Sequence, residues 1–479
     1  MSQSENIDGS SAVEIMDKTR QAMVEMRSEK GFQQALVDEC DLCNSIETEA
    51  EFQEPEDRPL KKKKQCDYES WKLNGFHQKS ETLQNFCEAS VNLGKLSLLF
   101  RRFIMAVDSQ VFKDPVVTFG VLTDVQYADH DDQIAAYDPS KTRFYRGSLG
   151  QVDDAFKYWE RPGSKVKFVL QLGDIIDGLN RFNGDSYTSL RRTLSHFEKH
   201  SSIPTFHTVG NHELYNFNRK ELAALFYESV MKINIPQEIF SPFKPVKDNH
   251  PISTPVLYYK FSPVPELKCI SLDCFDISVL GYDSQHPNYV EATKVLYSKH
   301  GHEIFDEWDC EGSLTGLDVR FQQMNGAVGQ EQLTWLDQEL KESDELGQKV
   351  IVFGHVSLHP DSSDWSCLLW NYEEVMKIFH LHKCVIAYFS GHTHKSGYAL
   401  DSHGISYIAF SGILETPPDT SAFATVSYYQ DKLEVHGHGM ERSYNIPLQG
   451  LKDVANDDND SAVDNEVEPP PPTTVKVEV

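Results

Sequence analysis

The sequence predicts an α/β fold, a layered core of β-strands and helices with flexible extensions at both ends. Two observations carry that expectation. From Val116 onward, short apolar runs rich in β-branched residues end in polar clusters and alternate with amphipathic helical stretches, the pattern of buried strands separated by helices. On either side of residues 111–450 the composition changes: Ser, Glu, Gln and Lys dominate before it, and an acidic, proline-rich segment follows it.

Residues 1–110 read as an N-terminal extension, partly helical and partly disordered. Their apolar residues fall into two helical patterns, one over Ala12, Val13, Ile15, Met16, Met23 and Met26, the other from about Thr82 to Val107. Between these lies the charged, proline-marked stretch EFQEPEDRPLKKKKQ. Its run Lys61–Lys64 has the composition of a nuclear-import signal, and a solvated charge run is the simpler reading. Cys40 and Cys43 have the spacing of half a zinc site, but no second pair follows at a suitable distance. Residues 451–479, almost free of aromatics, are expected to be a disordered acidic tail.

Within 111–450, the expected catalytic domain, strands are predicted at 116–124, 165–174, 253–262, 268–276, 349–355, 384–394 and 405–412 from their apolar, β-branched runs. No internal repeat is visible.

The balance of charge narrows the function classes. A net charge of -28, from 45 Lys and Arg against 73 Asp and Glu, repels a nucleic-acid backbone over most of the surface. Nucleic acid is therefore not an expected partner. A small anionic substrate remains compatible, because bound cations dominate the local charge inside a site. The first residues lack the basic start and apolar run of a secretory signal, and no stretch reaches the ~18 uninterrupted apolar residues of a membrane span. Nine cysteines, an odd number, suit reduced thiols rather than a disulfide framework. The expectation is a soluble, cytoplasmic monomer without a membrane partner.

The chemistry lies where the strands end. Five times an apolar strand or its approach finishes in metal-capable side chains: Asp124-Val-Gln126, Gly173-Asp174, Gly210-Asn211-His212-Glu213, Gly354-His355 and Gly391-His392-Thr393-His394. In an α/β sheet the carboxyl ends of the strands lie along one edge, so these distant residues can converge. A carboxylate such as Asp174 can bridge two cations. Asp124, Gln126 and His394 would complete one site, and Asn211, His355 and His392 the other. Such mixed oxygen and imidazole sets suit Mn²⁺, Fe²⁺ or Mg²⁺ better than a thiolate-dependent structural zinc. Two ions ~3.5–4 Å apart acidify a shared water and stabilise attacking and leaving oxygens at phosphorus. Hydrolysis of a phosphorus–oxygen bond is the expected reaction.

Taken together, these motifs resemble the signature of the calcineurin-like metallophosphoesterases, D-x-H, GD, GNH[DE], GH and GHxH in that order, over roughly Val116–Pro447. The departure is Gln126, which stands where the family usually has histidine. A D-x-Q opening is similar to that of the manganese-dependent ADP-ribose/CDP-alcohol diphosphatases, as are LTDVQYAD (122–129), TRFYRGSL (142–149), NGAVGQEQLTWL (325–336), GHVSLHP (354–360), CLLWNYEEV (367–375) and GILETPPDTSAFATV (412–426). The resemblance implies a four-layer sandwich, two β-sheets flanked by helices. It also implies two divalent cations, Mn²⁺ preferred over Mg²⁺, Fe²⁺ or Zn²⁺, and a nucleotide diphosphate substrate: ADP-ribose, CDP-glycerol, CDP-choline or CDP-ethanolamine. Gln126 fits, since a neutral amide oxygen binds zinc or iron more weakly than imidazole and tilts the site toward manganese.

In the same family pattern His212 matches the histidine that meets the phosphate and protonates or stabilises the leaving oxygen. Arg143 and Arg146 are candidates to clamp the second phosphate, although arginines on a solvated loop are common. Trp370 and Tyr372 are candidates to stack on a base, with core packing the commoner fate of such aromatics. His302, His359 and His403 read as ordinary surface or packing residues. Other two-metal phosphoesterases, acting on cyclic nucleotides or phosphoproteins, are the alternative reading, and a scaffold without activity is the remote one. The substrate preference and the role of residues 1–110 are not legible.

Overall fold

The computed structural model describes residues 114–448 except Ser201 and the segments 232–239, 242–254 and 302–313. The expectations for 1–110 and 451–479, including the two helical patterns, Cys40, Cys43 and Lys61–Lys64, lie outside the described residues, as does His302.

In chain order the strands are β1 (Val117–Leu122), β2 (Gln133–Ala135), β3 (Asp138–Arg143), β4 (Val166–Gln171), β5 (Thr205–His207), β6 (Phe240–Ser241), β7 (Tyr259–Val264) and β8 (Leu267–Ser271), followed by β9 (Lys349–Phe353), β10 (Val385–Ser390), β11 (Gly397–Leu400), β12 (Ser406–Ala409), β13 (Ala422–Tyr428), β14 (Lys432–Gly439) and β15 (Tyr444–Pro447). The helices are α1 (Ser148–Trp159), α2 (Leu179–Asn183), α3 (Ser186–Glu198), α4 (Asn211–Asn216), α5 (Arg219–Met231), α6 (Pro287–His300), α7 (Gln330–Leu346) and α8 (Tyr372–His380).

Two mixed sheets form the centre. One has the order β15-β14-β13-β1-β4-β5, with β1, β4 and β5 parallel; the other runs β11-β12-β10-β9-β8-β7-β6, with β12, β10, β9 and β8 parallel. The central strands β1, β8 and β10 are buried at every position, which is why they read in the sequence as continuous apolar runs rather than alternating ones. Aromatic rings join the sheets: Phe206 of β5 stacks on Phe261 of β7 with centroids 3.7 Å apart, and Phe119 of β1 meets Phe389 of β10 at 6.4 Å.

Helices cover both outer faces. Val152, Phe156 and Trp159 of α1, with Phe197 of α3, pack on Leu122 and Val169 of the first sheet. Leu333, Leu336 and Leu340 of α7, one stripe at helical spacing, join Val375 and Phe379 of α8 in the main core with the second sheet. Gly347, at φ 67°, ends α7. The result is the expected four-layer α/β/β/α sandwich.

The expected strands appear, with shifted ends. The run predicted at 253–262 becomes β7 at Tyr259–Val264, because Pro255 has no N–H to give a ladder. β13 to β15 complete the first sheet without having been expected as strands. β14 contains Gly437, Gly439, His436 and His438, which conceal its alternation. Among the described residues no helix is long and apolar enough to cross a membrane.

Candidate metal centre

The parallel strands of both sheets deliver their carboxyl ends to one place. β1 leads to Asp124 and Gln126, β4 to Asp174, β5 to Asn211 and His212, β9 to His355, and β10 to His392 and His394. Two triads of donor atoms result, each with all atoms within 4.8 Å of one another: Asp124, Asp174 and His394, and Asp174, His355 and His392. Asp174 belongs to both. His355 Nε2 stands 3.0 Å from Asn211 Oδ1, which adds the asparagine to the second triad.

Backbone strain marks the same residues. Among the described residues, the non-glycine positions with positive φ are Asp124 (52°), Gln126 (42°), Asp174 (56°), His392 (66°) and His394 (54°). All five are expected ligands. Each such conformation costs about 1–3 kcal/mol and persists only where the surroundings enforce it. At Asp174 the fully buried Glu213 enforces it: its carboxylate accepts from the backbone N–H of Gly210, Asp174, Ile175 and Ile176. Gly173, at φ 97°, leaves room for the His355 ring, which a β-carbon there would approach to 2.6 Å.

The electrostatics are those of a buried anionic cluster. Burial alone disfavours a charged His355, yet the Asp174 carboxylate 3.3 Å away draws it up to about 9. Burial likewise opposes charge on His394, and Asp124 at 3.2 Å draws it up to about 10. His392, buried and repelled by His355, is pushed down to about 3. Asp174 stays well below the usual carboxylate range: burial raises it, and His355 and His212 outweigh that. A divalent cation answers the same attraction that loads two of these imidazoles with protons.

Gln126 is also at the centre, with a twist. Its amide Nε2 lies 2.8 Å from Asp174 Oδ2 and 3.0 Å from His394 Nε2, while Oε1, fully buried, has no partner. The amide nitrogen thus stands among the ligand atoms in the manner of a cation. A half-turn of the amide exchanges the two ends and brings the orphaned oxygen to face them.

His212 packs beside Asp174. Its Nδ1 accepts the N–H of Gly178 at 2.8 Å, so the neutral ring carries its proton on Nε2, 3.9 Å from Asp174 Oδ2. Arg143 stands at the edge, its Nε 3.8 Å from Glu415 and without a hydrogen bond. Arg146, in contrast, is exposed and held by Asp129 and Asp131.

Of their two readings, Trp370 and Tyr372 take the packing one. Trp370 is 2% exposed, and its indole N–H donates to the Gln322 carbonyl; Tyr372 is 7% exposed within the main core. Neither offers a face to a base: Trp370 packs in a cluster with Ala292, Leu296 and Phe321, and Tyr372 in the main core. His403 is exposed, as the reading of an ordinary surface or packing histidine expects, and stacks on His380 at 3.7 Å beside Asp401.

A family model of the calcineurin-like phosphoesterases matches residues 117–396. The manganese-dependent ADP-ribose/CDP-alcohol diphosphatase of Xenopus tropicalis is 36% identical over 351 residues, 73% of this chain and 99% of that protein. The human enzyme of the same name is 38% identical over 328 residues, 67% of this chain and 90% of its own. The chain belongs to this family of calcineurin-like phosphoesterases. The family extends to plants: the rice diphosphatase is 37% identical over 338 residues, 70% of this chain and 96% of that protein. A dimetal phosphatase from Danio rerio superposes with a TM-score of 0.62 at 33% identity, covering 70% of this chain and all of that one.

Two residues beside the family motifs escaped the sequence reading. Asn325 Oδ1 meets His392 Nε2 at 2.8 Å and Glu415 Oε1 meets His394 Nδ1 at 2.9 Å. Both lie in stretches that resemble the diphosphatases, NGAVGQEQ and GILETPPD, which was the available signal.

Proposed function

We propose that this chain hydrolyses the diphosphate bond of ADP-ribose and of CDP-alcohols, releasing AMP or CMP and a second phosphate ester. The carrying observation is the pair of donor triads that share Asp174, in a chain whose relatives bear the diphosphatase name. In this reading Asp124, Gln126, His394 and Asp174 hold one divalent ion, and Asp174, Asn211, His355 and His392 the other. The donors fit: hard oxygens and imidazoles without a thiolate, and a buried amide oxygen in need of a partner. Mn²⁺ is the preferred ion, with Mg²⁺, Fe²⁺ or Zn²⁺ as substitutes. Such ions supply an acidified water and charge neutralisation at the phosphates.

The chain's own residues do the rest. His212, its Nδ1 occupied by the Gly178 N–H, donates from Nε2 to the departing phosphate oxygen. Arg143, with a free Nε, contacts the second phosphate; Arg146 would first have to leave two aspartates. One chain supplies every donor, so we read it as a monomer. Its described cysteines are free, which suits the cytoplasm.

The test is incubation of the purified protein with Mn²⁺ and ADP-ribose, CDP-choline, CDP-glycerol, a phosphopeptide and a cyclic nucleotide. Hydrolysis confined to the diphosphates is expected, abolished in Asp174→Asn and His392→Ala. Turnover only of the phosphopeptide or cyclic nucleotide would overturn the assignment.

A further inference from the structure

Each of the three ligand histidines gives one ring nitrogen to a buried acceptor, and the acceptors differ. The Leu172 carbonyl takes Nδ1 of His355 at 2.8 Å, the Glu415 carboxylate takes Nδ1 of His394 at 2.9 Å, and the Asn325 amide oxygen takes Nε2 of His392 at 2.8 Å. A cation on the site displaces the second proton and leaves each imidazole neutral with one N–H. The nitrogen facing one of these three acceptors keeps it, and the nitrogen among the fellow ligands, beside Asn211 and Asp174 for His355 and beside Asp124 for His394, gives its lone pair. His355 and His394 then bind through Nε2, and His392 through Nδ1. We propose that Asn325 and Glu415 are positioning residues that fix opposite tautomers in the two histidines of the Gly391–His394 motif. This rests on the ligand reading above.

The Asn325 amide cannot turn over. It is fully buried, and its Nδ2 donates to the carbonyls of Arg320 at 2.8 Å and Ser366 at 2.7 Å. A flipped amide would set its oxygen against both carbonyl oxygens. Oδ1 is therefore committed to His392, and the ring must present N–H there.

Glu415 is held as firmly. It is 4% exposed, accepts the Tyr137 hydroxyl, and has Arg143 Nε and Lys141 Nζ at 3.8 and 3.9 Å. A carboxylate partner raises the donor strength of a ligating imidazole more than an amide partner does. The stronger histidine thus belongs to the ion that also takes the weak donor Gln126. Asn325 supports the other ion.

The experiment compares Asn325→Ala, Asn325→Asp, Glu415→Ala and Glu415→Gln by chelator competition for Mn²⁺ and by electron paramagnetic resonance of the loaded proteins. Both Asn325 variants forfeit the bonds to Arg320 and Ser366, but only the aspartate keeps an acceptor for His392; the glutamine likewise keeps one for His394. Each alanine variant should lose about 10–100-fold in affinity at one ion, turning the multiline signal of a coupled pair into the sextet of an isolated ion. The aspartate and glutamine variants should stay within about 10-fold of the parent. Equal losses in the alanine variant and its acceptor-retaining counterpart, or parental affinity in both alanine variants, would overturn the positioning roles. Should Asn325→Ala not fold, the two Glu415 variants decide. Parental ion binding in Asp174→Asn would instead show that the ligand reading itself fails.

Discussion

Gly210 lies so close to Asp174 that a methyl group on its Cα would fall 2.0 Å from the carboxylate Oδ1 and 2.5 Å from the backbone nitrogen. Asp174 cannot yield, because the Glu213 carboxylate grips its N–H and its φ is already 56°. Gly210→Ala should therefore displace the shared ligand and lower the rate about 100-fold or more, the usual penalty for a misplacement near 1 Å. The control is Gly150, exposed on α1, where a β-carbon meets nothing within 4 Å. Gly150→Ala should keep full activity and gain about 0.5–1 kcal/mol of stability. A fully active Gly210→Ala enzyme with normal manganese content would refute the account.

Trp370 gives a test of core against substrate contact. Buried beside Phe321, with its N–H satisfied by Gln322, it should cost about 3–5 kcal/mol on truncation to alanine. Trp370→Phe, which keeps most of the packing, should leave KM for ADP-ribose unchanged. A KM raised tenfold in a phenylalanine variant of normal melting temperature would restore the stacking role.

The fold and the ligands were legible for the same reason. A strand buried on both faces writes itself as an apolar run, and the polar residue after it then stands out, as Asp174 does after VKFVLQLG. Trp370 and Tyr372 stay open between two readings in the sequence because an aromatic beside polar residues looks alike whether it packs or stacks, and only burial separates the two. Asn325 and Glu415 were missed for a geometric reason. Asn325 acts on a histidine 67 residues away, so no local spacing records the partnership.

His207 makes a prediction about acid. It is buried, its Nδ1 lies 3.2 Å from Gln171 Oε1, and burial pushes its pKa down to about 3, against 6.5 for an ordinary histidine. Between those values the unfolded chain holds a proton that the folded chain refuses, so stability falls as pH drops from 6.5 toward 3. His207→Phe removes this contribution. Its urea midpoint should fall less than the parent's between pH about 7.5 and about 5. Identical falls in the two proteins would mean that His207 does not stay neutral in the fold.

Gln126 joins the family membership to the chemistry of the ions. Its amide sits between Asp174 and His394 with Nε2 inward and Oε1 orphaned. An incoming cation must repel that amino group, so binding requires the half-turn that presents the oxygen. The turn also breaks the bonds from Nε2, and the oxygen it presents is a weaker donor than imidazole. Gln126→His should bind Zn²⁺ and Fe²⁺ more tightly, since imidazole is the better donor for those ions, and the need for manganese should relax. Faster turnover need not follow, because the attacking water must stay exchangeable. Gln126→Ala removes both the donor and the amide that fills the gap. Its affinity for Mn²⁺ should fall, and a higher concentration should be needed for half-maximal rate. Metal content by mass spectrometry, with rate against Mn²⁺ concentration on ADP-ribose, reads both effects. Superimposable curves for the parent and the two variants would show that Gln126 binds no ion, and that its orphaned oxygen serves only to fill the site.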